Sequence, residues 1–318
     1  MSESQPFHHP LPADAKIYVA GHRGLVGSAI WRRLERAGHG NLIGVPSTDL
    51  DLRDRTAVDD FFDTEKPEYV FLAAAKVGGI LGNKLAPADF LSENLRIQVN
   101  VLDAAARIGV RRLLFLGSSC IYPKFAPQPI SEDSLLTGKL EETNDAYAIA
   151  KIAGVMQVQA LRRQHGSSFV SVMPTNLYGP NDNFDLTTAH VLPMFIRKFH
   201  EARESGGPVT VWGSGTPRRE FLHADDLADA SLFVLEHYDS PDPVNIGVGR
   251  DISIAELVEL VADVVGYDGP VEWDRSKPDG TPRKLLDVSR LTALGWTARI
   301  GLREGIRATY QWYVDNRR

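Results

Sequence analysis

The chain has 318 residues, 43% of them hydrophobic and 24% charged, enough to bury a large core in one big domain or two intimate ones. Its net charge of −6 gives no electrostatic case for nucleic acid as a partner, and the absence of an 18-residue apolar run argues against a membrane span. The single cysteine, Cys120, excludes an intramolecular disulfide framework and suits a reducing cytoplasm.

Residues 1–15 are polar, without the basic and apolar parts of a secretion signal, and read as a disordered leader. A short apolar strand over 16–20 then runs directly into Gly21-His-Arg-Gly24-Leu-Val-Gly27. Over 25–36, Val26, Ala29, Ile30 and Leu34 recur at helical spacing with arginines opposite. Strand, glycine turn and helix are the context in which such glycines permit a tight turn and close approach of backbone to a pyrophosphate. A strand over 41–45 completes a βαβ unit.

The alternation continues with a helix over 56–64, a buried strand over 69–75, a long helix over 87–108 and a strand over 112–117. A helix over 147–164 and a strand over 169–173 follow. This predicts an α/β fold of the Rossmann type, a doubly wound parallel sheet with ligands at the carboxyl ends of its strands. Ala73 to Ala75, Ser118 and Ser119, and Pro174 to Asn176 fall at such ends. Beyond about 175 the pattern loosens, with helices over 190–203, 225–236 and 254–265, a strand over 244–246 and a loop over 276–284. We expect a dinucleotide-binding domain over 16–175, joined by crossing segments from about 209–248, and a smaller α/β substrate-binding lobe over most of 176–318.

Tyr147 and Lys151 are four apart, so on a helix they share one face. A phenol near pKa ~10 enters the range for acid–base work when an ammonium stabilises its anion. A hydroxyl from Ser118 or Ser119 would help hold a carbonyl oxygen. Together these groups could reduce a ketone or oxidise an alcohol. The nine histidines are scattered, and no metal cluster is evident.

With these features in hand the chain resembles the extended short-chain dehydrogenase/reductases. The specific runs are Leu72-Ala-Ala-Ala-Lys-Val-Gly-Gly-Ile80, Leu116-Gly-Ser-Ser-Cys-Ile-Tyr-Pro-Lys124, Pro174-Thr-Asn-Leu-Tyr-Gly-Pro180, Trp212-Gly-Ser-Gly-Thr-Pro217, Arg219-Glu-Phe-Leu-His223 and 277–284. The branch it is most similar to implies conversion of GDP-4-keto-6-deoxy-D-mannose to GDP-L-fucose, by C3/C5 epimerisation and then NADPH-dependent reduction at C4. The resemblance puts the reductase triad on Ser118, Tyr147 and Lys151, and the epimerisation pair on Cys120 and His190. It puts NADP(H) contacts on Gly21, Arg23, Gly24, Leu25, Val26, Gly27, Asp51, Leu52, Ala73, Ala74 and Asn94, then on Tyr147, Lys151, Pro174, Asn176, Leu177 and His190. Sugar-nucleotide contacts fall on Asn176, Val191, Lys198, Trp212, Arg219 and Lys284. Arg23 is placed to meet a 2′-phosphate, although the segment after the second strand lacks the arginine that some relatives carry. Asp51 could equally cap the next helix. The resemblance also implies a homodimer packed through the helices over 87–108 and 147–164. Two other readings are an NAD-retaining nucleotide-sugar 4-epimerase or 4,6-dehydratase, and a non-catalytic dinucleotide-binding regulator. Cys120, His190 and the lack of an acid beside Ser118 and Ser119 argue against the former, and the intact Ser/Tyr/Lys set against the latter.

Overall fold

Strands and helices alternate through the first half of the chain in the computed structural model, which describes residues 7–277 and 279–316. The order is β1 (Ile17–Ala20), α1 (Leu25–Arg36), β2 (Leu42–Ile43), α2 (Arg55–Glu65), β3 (Tyr69–Leu72), α3 (Ile80–Leu85), α4 (Pro87–Arg107), β4 (Arg112–Leu116), α5 (Asp145–His165) and β5 (Phe169–Pro174). The next elements are β6 (Asn176–Tyr178), α6 (Val191–Ser205), β7 (Val209–Trp212), β8 (Arg218–Arg219), β9 (Phe221–His223), α7 (Ala224–His237) and β10 (Val244–Ile246). The chain closes with β11 (Ile252–Ser253), α8 (Ile254–Val265), β12 (Val271–Asp274), β13 (Arg283–Lys284), α9 (Ser289–Ala293) and α10 (Leu302–Asn316).

Six parallel strands pair in the order β2-β1-β3-β4-β5-β10. Every residue of β1, β3, β4 and β5 is buried, as expected of strands covered on both faces and therefore apolar throughout. Val58 and Phe62 of α2, Val101, Leu102 and Ala105 of α4, and Val155 and Val158 of α5 close one face. Ala29, Ile30 and Leu34 of α1 with Leu227, Ala230 and Val234 of α7 close the other. Two ion pairs tie α1 to α7, Arg32 to Asp225 and Arg33 to Asp229, both at 2.7 Å. Strand order reverses between β1 and β3, which opens a crevice at their carboxyl ends.

The lobe has a separate core, in which Leu192, Ile196 and Phe199 of α6 meet Leu257 and Val261 of α8 and Ile306 of α10. Its strands form small sheets, β7 with β12, β6 with β9, and β11-β8-β13. The crossing expected from about 209 begins later, because β7 belongs to the lobe and the return to the first domain is made by α7 and β10. A second return, not foreseen, brings Leu291 of α9 and Trp296 into the core beneath α7. Glu220, fully buried, joins the parts. Its carboxylate accepts from the amides of Val248 (2.6 Å), Gly249 (2.7 Å) and Leu286 (3.0 Å).

The disordered leader expected at 1–15 needs correction from residue 7 onward, residues 1–6 lying outside the described residues. The His9 amide donates to the Glu236 carbonyl at 2.7 Å and its ring nitrogen lies 2.9 Å from the Tyr69 hydroxyl, while Leu11 and Ala15 are buried in the core. Among the described residues no helix is long and apolar enough to cross a membrane.

Candidate active site

At the end of β1 the backbone turns through Gly21 with φ +83°, and a Cβ there would lie 2.9 Å from Ala74 at the end of β3. Gly27 packs on the same turn so tightly that a Cβ would sit 2.1 Å from the Gly21 carbonyl oxygen. Gly24 is the N-cap of α1, which has no acidic residue in its first turn, so the amides of Leu25 and Val26 are free to meet an anion. Arg23 is exposed on this turn and has no ion-pair partner among the described residues. These features fit a dinucleotide pyrophosphate. Beside them His22 lays its ring where a side chain at Gly44 would be, 2.5 Å from that missing Cβ.

Two expected cofactor residues also carry bonds within the chain. Asp51 is bound to Arg53 at 2.9 Å, which holds its carboxyl below the usual range. The cap of α2 is instead Asp54, which accepts from the Ala57 amide. Asn94 is buried, and its amide bonds the backbone of Lys76 in both directions, at 2.9 and 3.0 Å, and the Phe90 carbonyl at 2.7 Å. It shapes the loop after β3 that also carries Ala73 and Ala74. Leu52 packs beside the core, with its carbonyl accepting from Asn100.

The acid–base groups gather where β4 ends. Ser118 caps a short 3-10 turn, Ser119–Ile121, and its hydroxyl accepts from the Cys120 amide at 3.2 Å. Tyr147 arrives from the first turn of α5. Burial and the nearby Cys120 raise its pKa, and a hydrogen bond from Ser118 works against them. One turn on, Lys151 is only 4% exposed. Its ammonium donates to the Leu116 carbonyl at 2.7 Å and lies 5.9 Å from the centre of the Tyr147 ring. Lacking an acidic partner, it is lowered by burial to about 8. Cys120 Sγ receives two donors, Asn144 Nδ2 at 3.2 Å and Lys284 Nζ at 3.6 Å.

His190 is the N-cap of α6 but makes no capping bond with its side chain. Water reaches the residue, yet the protein crowds the imidazole enough to lower its pKa. The preceding loop is fixed by the Gly79 amide, which donates to the Thr188 carbonyl at 2.9 Å. Phe90, whose ring meets that of Tyr147 edge-on at 6.4 Å, lies against the adjoining Gly78. Asp182, in the same loop, has a carboxylate oxygen buried without a hydrogen-bond partner, and burial pushes its pKa up to about 7. No local pattern marks it in the sequence.

The expected sugar-nucleotide residues divide into free and committed groups. Trp212 is 61% exposed at the end of β7, and the Lys277 ammonium lies 5.5 Å from its ring centre. Arg219 pairs in register with Lys284, and burial lowers its pKa. Lys198 donates to the Thr210 carbonyl at 3.2 Å, and burial lowers it too. Val191 opens α6 and packs beside the lobe core. Asn176 donates to the Glu220 carbonyl at 2.8 Å; nearby, Pro174 ends β5 and Leu177 packs on the sheet core. Asp279, missed in the sequence, grips the turn after Trp212 through the Ser214 amide (2.8 Å) and hydroxyl (2.7 Å).

A doubly wound sheet whose glycine turn stands beside a Ser/Tyr/Lys set is the framework of a nicotinamide-dependent enzyme. The model of the NAD dependent epimerase/dehydratase family matches residues 17–247, and the chain belongs to that family. It is 59% identical to GDP-L-fucose synthase 1 of Arabidopsis thaliana, over 95% of this chain and 94% of that protein. It is 52% identical to GDP-L-fucose synthase of Escherichia coli (strain K12), over 95% of this chain and 97% of the relative. A crystal structure of a GDP-L-fucose synthetase from Naegleria fowleri bound to NADP superposes with a TM-score of 0.92 at 31% identity, covering 99% of this chain and 98% of that one.

Proposed function

We propose that the protein is a bifunctional epimerase-reductase that converts GDP-4-keto-6-deoxy-D-mannose to GDP-L-fucose with NADPH. The observation that carries this reading is the crowding of a thiol, a phenol and a hydroxyl at one turn. Ser118 accepts from the Cys120 amide, and Cys120 lies near enough to Tyr147 to raise its pKa. A simple ketoreductase needs no thiol there. The printed names of the relatives point to the same reaction.

The C3–H and C5–H bonds of the sugar flank the C4 carbonyl, which makes both acidic. Cys120 and His190 take these protons and return protons to the opposite faces, while the Ser118 and Tyr147 hydroxyls hold the enolate oxygen. Burial, with Cys120 beside it, raises the pKa of the phenol, so Tyr147 stays protonated through epimerisation and still has a proton to give to O4 at reduction. Lys151 then stabilises the phenolate left behind. Bound NADPH supplies the hydride to C4. Leu25 and Val26 amides hold its pyrophosphate, and Arg23 its 2′-phosphate. Arg219 and Lys198 face the phosphates of the sugar nucleotide, with Trp212 near its base.

The enzyme works in the cytoplasm as a homodimer, with no membrane or nucleic-acid partner. In support, α4 and α5 pack on each other and present Val99, Ile149 and Met156 to solvent at 36%, 46% and 40% exposure.

The test is incubation with GDP-4-keto-6-deoxy-D-mannose in deuterated water, with and without NADPH, comparing wild type with Cys120→Ser. Deuterium should enter C3 and C5 without NADPH, GDP-L-fucose should form with it, and the variant should lose the exchange. Reduction without exchange would leave a simple 4-ketoreductase and sink the epimerase reading.

A further inference from the structure

Asn144 stands at the N-cap of α5, where an asparagine ordinarily accepts a hydrogen bond from an amide of the first turn. Here it makes no such bond. Its Nδ2 donates to Cys120 Sγ at 3.2 Å, and its Oδ1 is buried without a partner. A residue suited to capping thus forgoes the cap and leaves an oxygen unpaired, with its amide turned on a sulfur. Lys284 reaches the same sulfur, Nζ to Sγ 3.6 Å, from β13, a strand paired to β8 in the small sheet of the lobe. An ammonium has only protons to offer. Both contacts are therefore satisfied when the sulfur accepts, and a thiol proton aimed at either group would break one of them. The ammonium fixes this direction whichever way the amide is turned.

We propose that Asn144 and Lys284 are positioning residues for Cys120, holding its sulfur as a hydrogen-bond acceptor in the state that takes a proton from the sugar. This rests on the reading of Cys120 as an epimerisation group. It assigns Lys284 to the thiol, where family resemblance assigns it to the sugar nucleotide, and leaves the phosphates to Arg219 and Lys198. Among the described residues, the titratable groups interacting with Cys120 are Lys284 from β13 and Tyr147 from α5; Asn144 and Ser118 face it uncharged. Asn144 precedes Tyr147 by three residues and Lys151 by seven, so one face of α5 carries the thiol's donor together with the reductase pair.

Cys120 is the single cysteine, so the intact mass after iodoacetamide treatment reports this thiol alone. In the full-length protein, Lys284→Met should slow alkylation about tenfold at neutral pH in its pH–rate profile, because a neighbouring cation favours the thiolate. Lys284→Arg should restore most of the wild-type profile. Asn144→Ala should act in the same direction but by only about threefold, as befits an uncharged donor. Melting curves on the same samples separate this effect from misfolding. A Lys284→Met profile that superimposes on wild type overturns the proposal, whatever becomes of turnover. Deuterium exchange into the sugar should fall in step with alkylation across the variants. If the profile shifts as expected but wild type exchanges no deuterium, the donors still hold the thiol and it is the epimerase reading that fails.

Discussion

Replacing Gly24 with alanine and, separately, Gly27 with alanine should have different effects on the protein without cofactor. At Gly24 a Cβ would find its nearest neighbour, the Gly21 carbonyl oxygen, at an ordinary 3.5 Å, and φ of −78° suits any residue. Stability should stay within about 0.5 kcal/mol, and Tm within about 2 °C. At Gly27 the added carbon would lie 2.1 Å from that oxygen and 2.5 Å from its carbonyl carbon. The turn has to move, and overpacking of this kind costs about 1–3 kcal/mol, or roughly 2–4 °C of Tm per kcal/mol. Affinity for NADPH divides the pair differently. The middle glycine is where a pyrophosphate approaches the backbone, so a methyl group there pushes the phosphate off the amides of α1. Each hydrogen bond to a charged group is worth about 1.5–3 kcal/mol, so losing one raises Kd about 10- to 100-fold. Calorimetry without cofactor and fluorescence titration with NADPH read the two effects. Gly40→Ala, with nothing within 4 Å of the added carbon, should change neither. Wild-type NADPH affinity in Gly24→Ala would remove the pyrophosphate from α1, and wild-type melting in Gly27→Ala would refute crowding as the reason for that glycine.

Burial lowers Lys151 from 10.5 to about 8, so between those pH values the unfolded chain holds a proton that the folded one lacks, and stability rises with pH across that window. Lys151→Met should relieve roughly 3 kcal/mol at pH 7, offset by about 1 kcal/mol for the Leu116 carbonyl left unpaired. The variant without cofactor should therefore melt above wild type below pH 8 and lose the advantage by pH 10.5, while reduction is abolished; a lower Tm at pH 7 would refute the reasoning. Glu220→Leu strands the three buried amides that its carboxylate serves, at about 1–3 kcal/mol each. A urea titration should show a loss of at least about 3 kcal/mol, and less than about 1 would mean that Glu220 does not join the two parts. Trp212→Ala, at a 61% exposed site, should leave Tm unchanged while raising KM about tenfold or more with kcat nearly constant, the pattern of lost uniform binding; an unchanged KM would take Trp212 out of the site.

Local chemistry accounts for what could be foreseen. The helix expected over 254–265 has those bounds because Ser253 and Glu256 form a capping box written in the sequence itself. Gly21, Ser118, Tyr147 and Lys151 were legible because each follows a buried strand or shares a helix face at fixed spacing. What escaped depends on partners distant in the chain. The 7–15 segment is held by Tyr69 and Glu236, and the latter lies 225 residues from Leu11. Nothing in the sequence marked Asn144, whose amide meets Cys120, and Lys284 reaches the same sulfur from 164 residues away. The bonds of Asp51 to Arg53 and of Asn94 to the Lys76 backbone were likewise not legible in the sequence. α3, only six residues long, has too few turns for periodicity to show.

The two proposed reactions have an order imposed by the sugar, and the electrostatics of the site are consistent with it. Reduction destroys the carbonyl that makes C3–H and C5–H acidic, so no epimerisation can follow it. A site that reduced too early would yield an unepimerised product, and its defence has to lie in which groups hold protons. A sulfur held as an acceptor by Asn144 and Lys284 is ready to take a proton, and burial with Cys120 alongside holds the neighbouring phenol's pKa up. Tyr147 can then serve as a donor to the enolate oxygen through both inversions and still carry the proton that O4 needs. With Cys120 only two residues beyond Ser118, the proton-taking group stands at the carbonyl before the hydride arrives, and Cys120→Ala should shift the product mixture toward the unepimerised 4-hydroxy sugar.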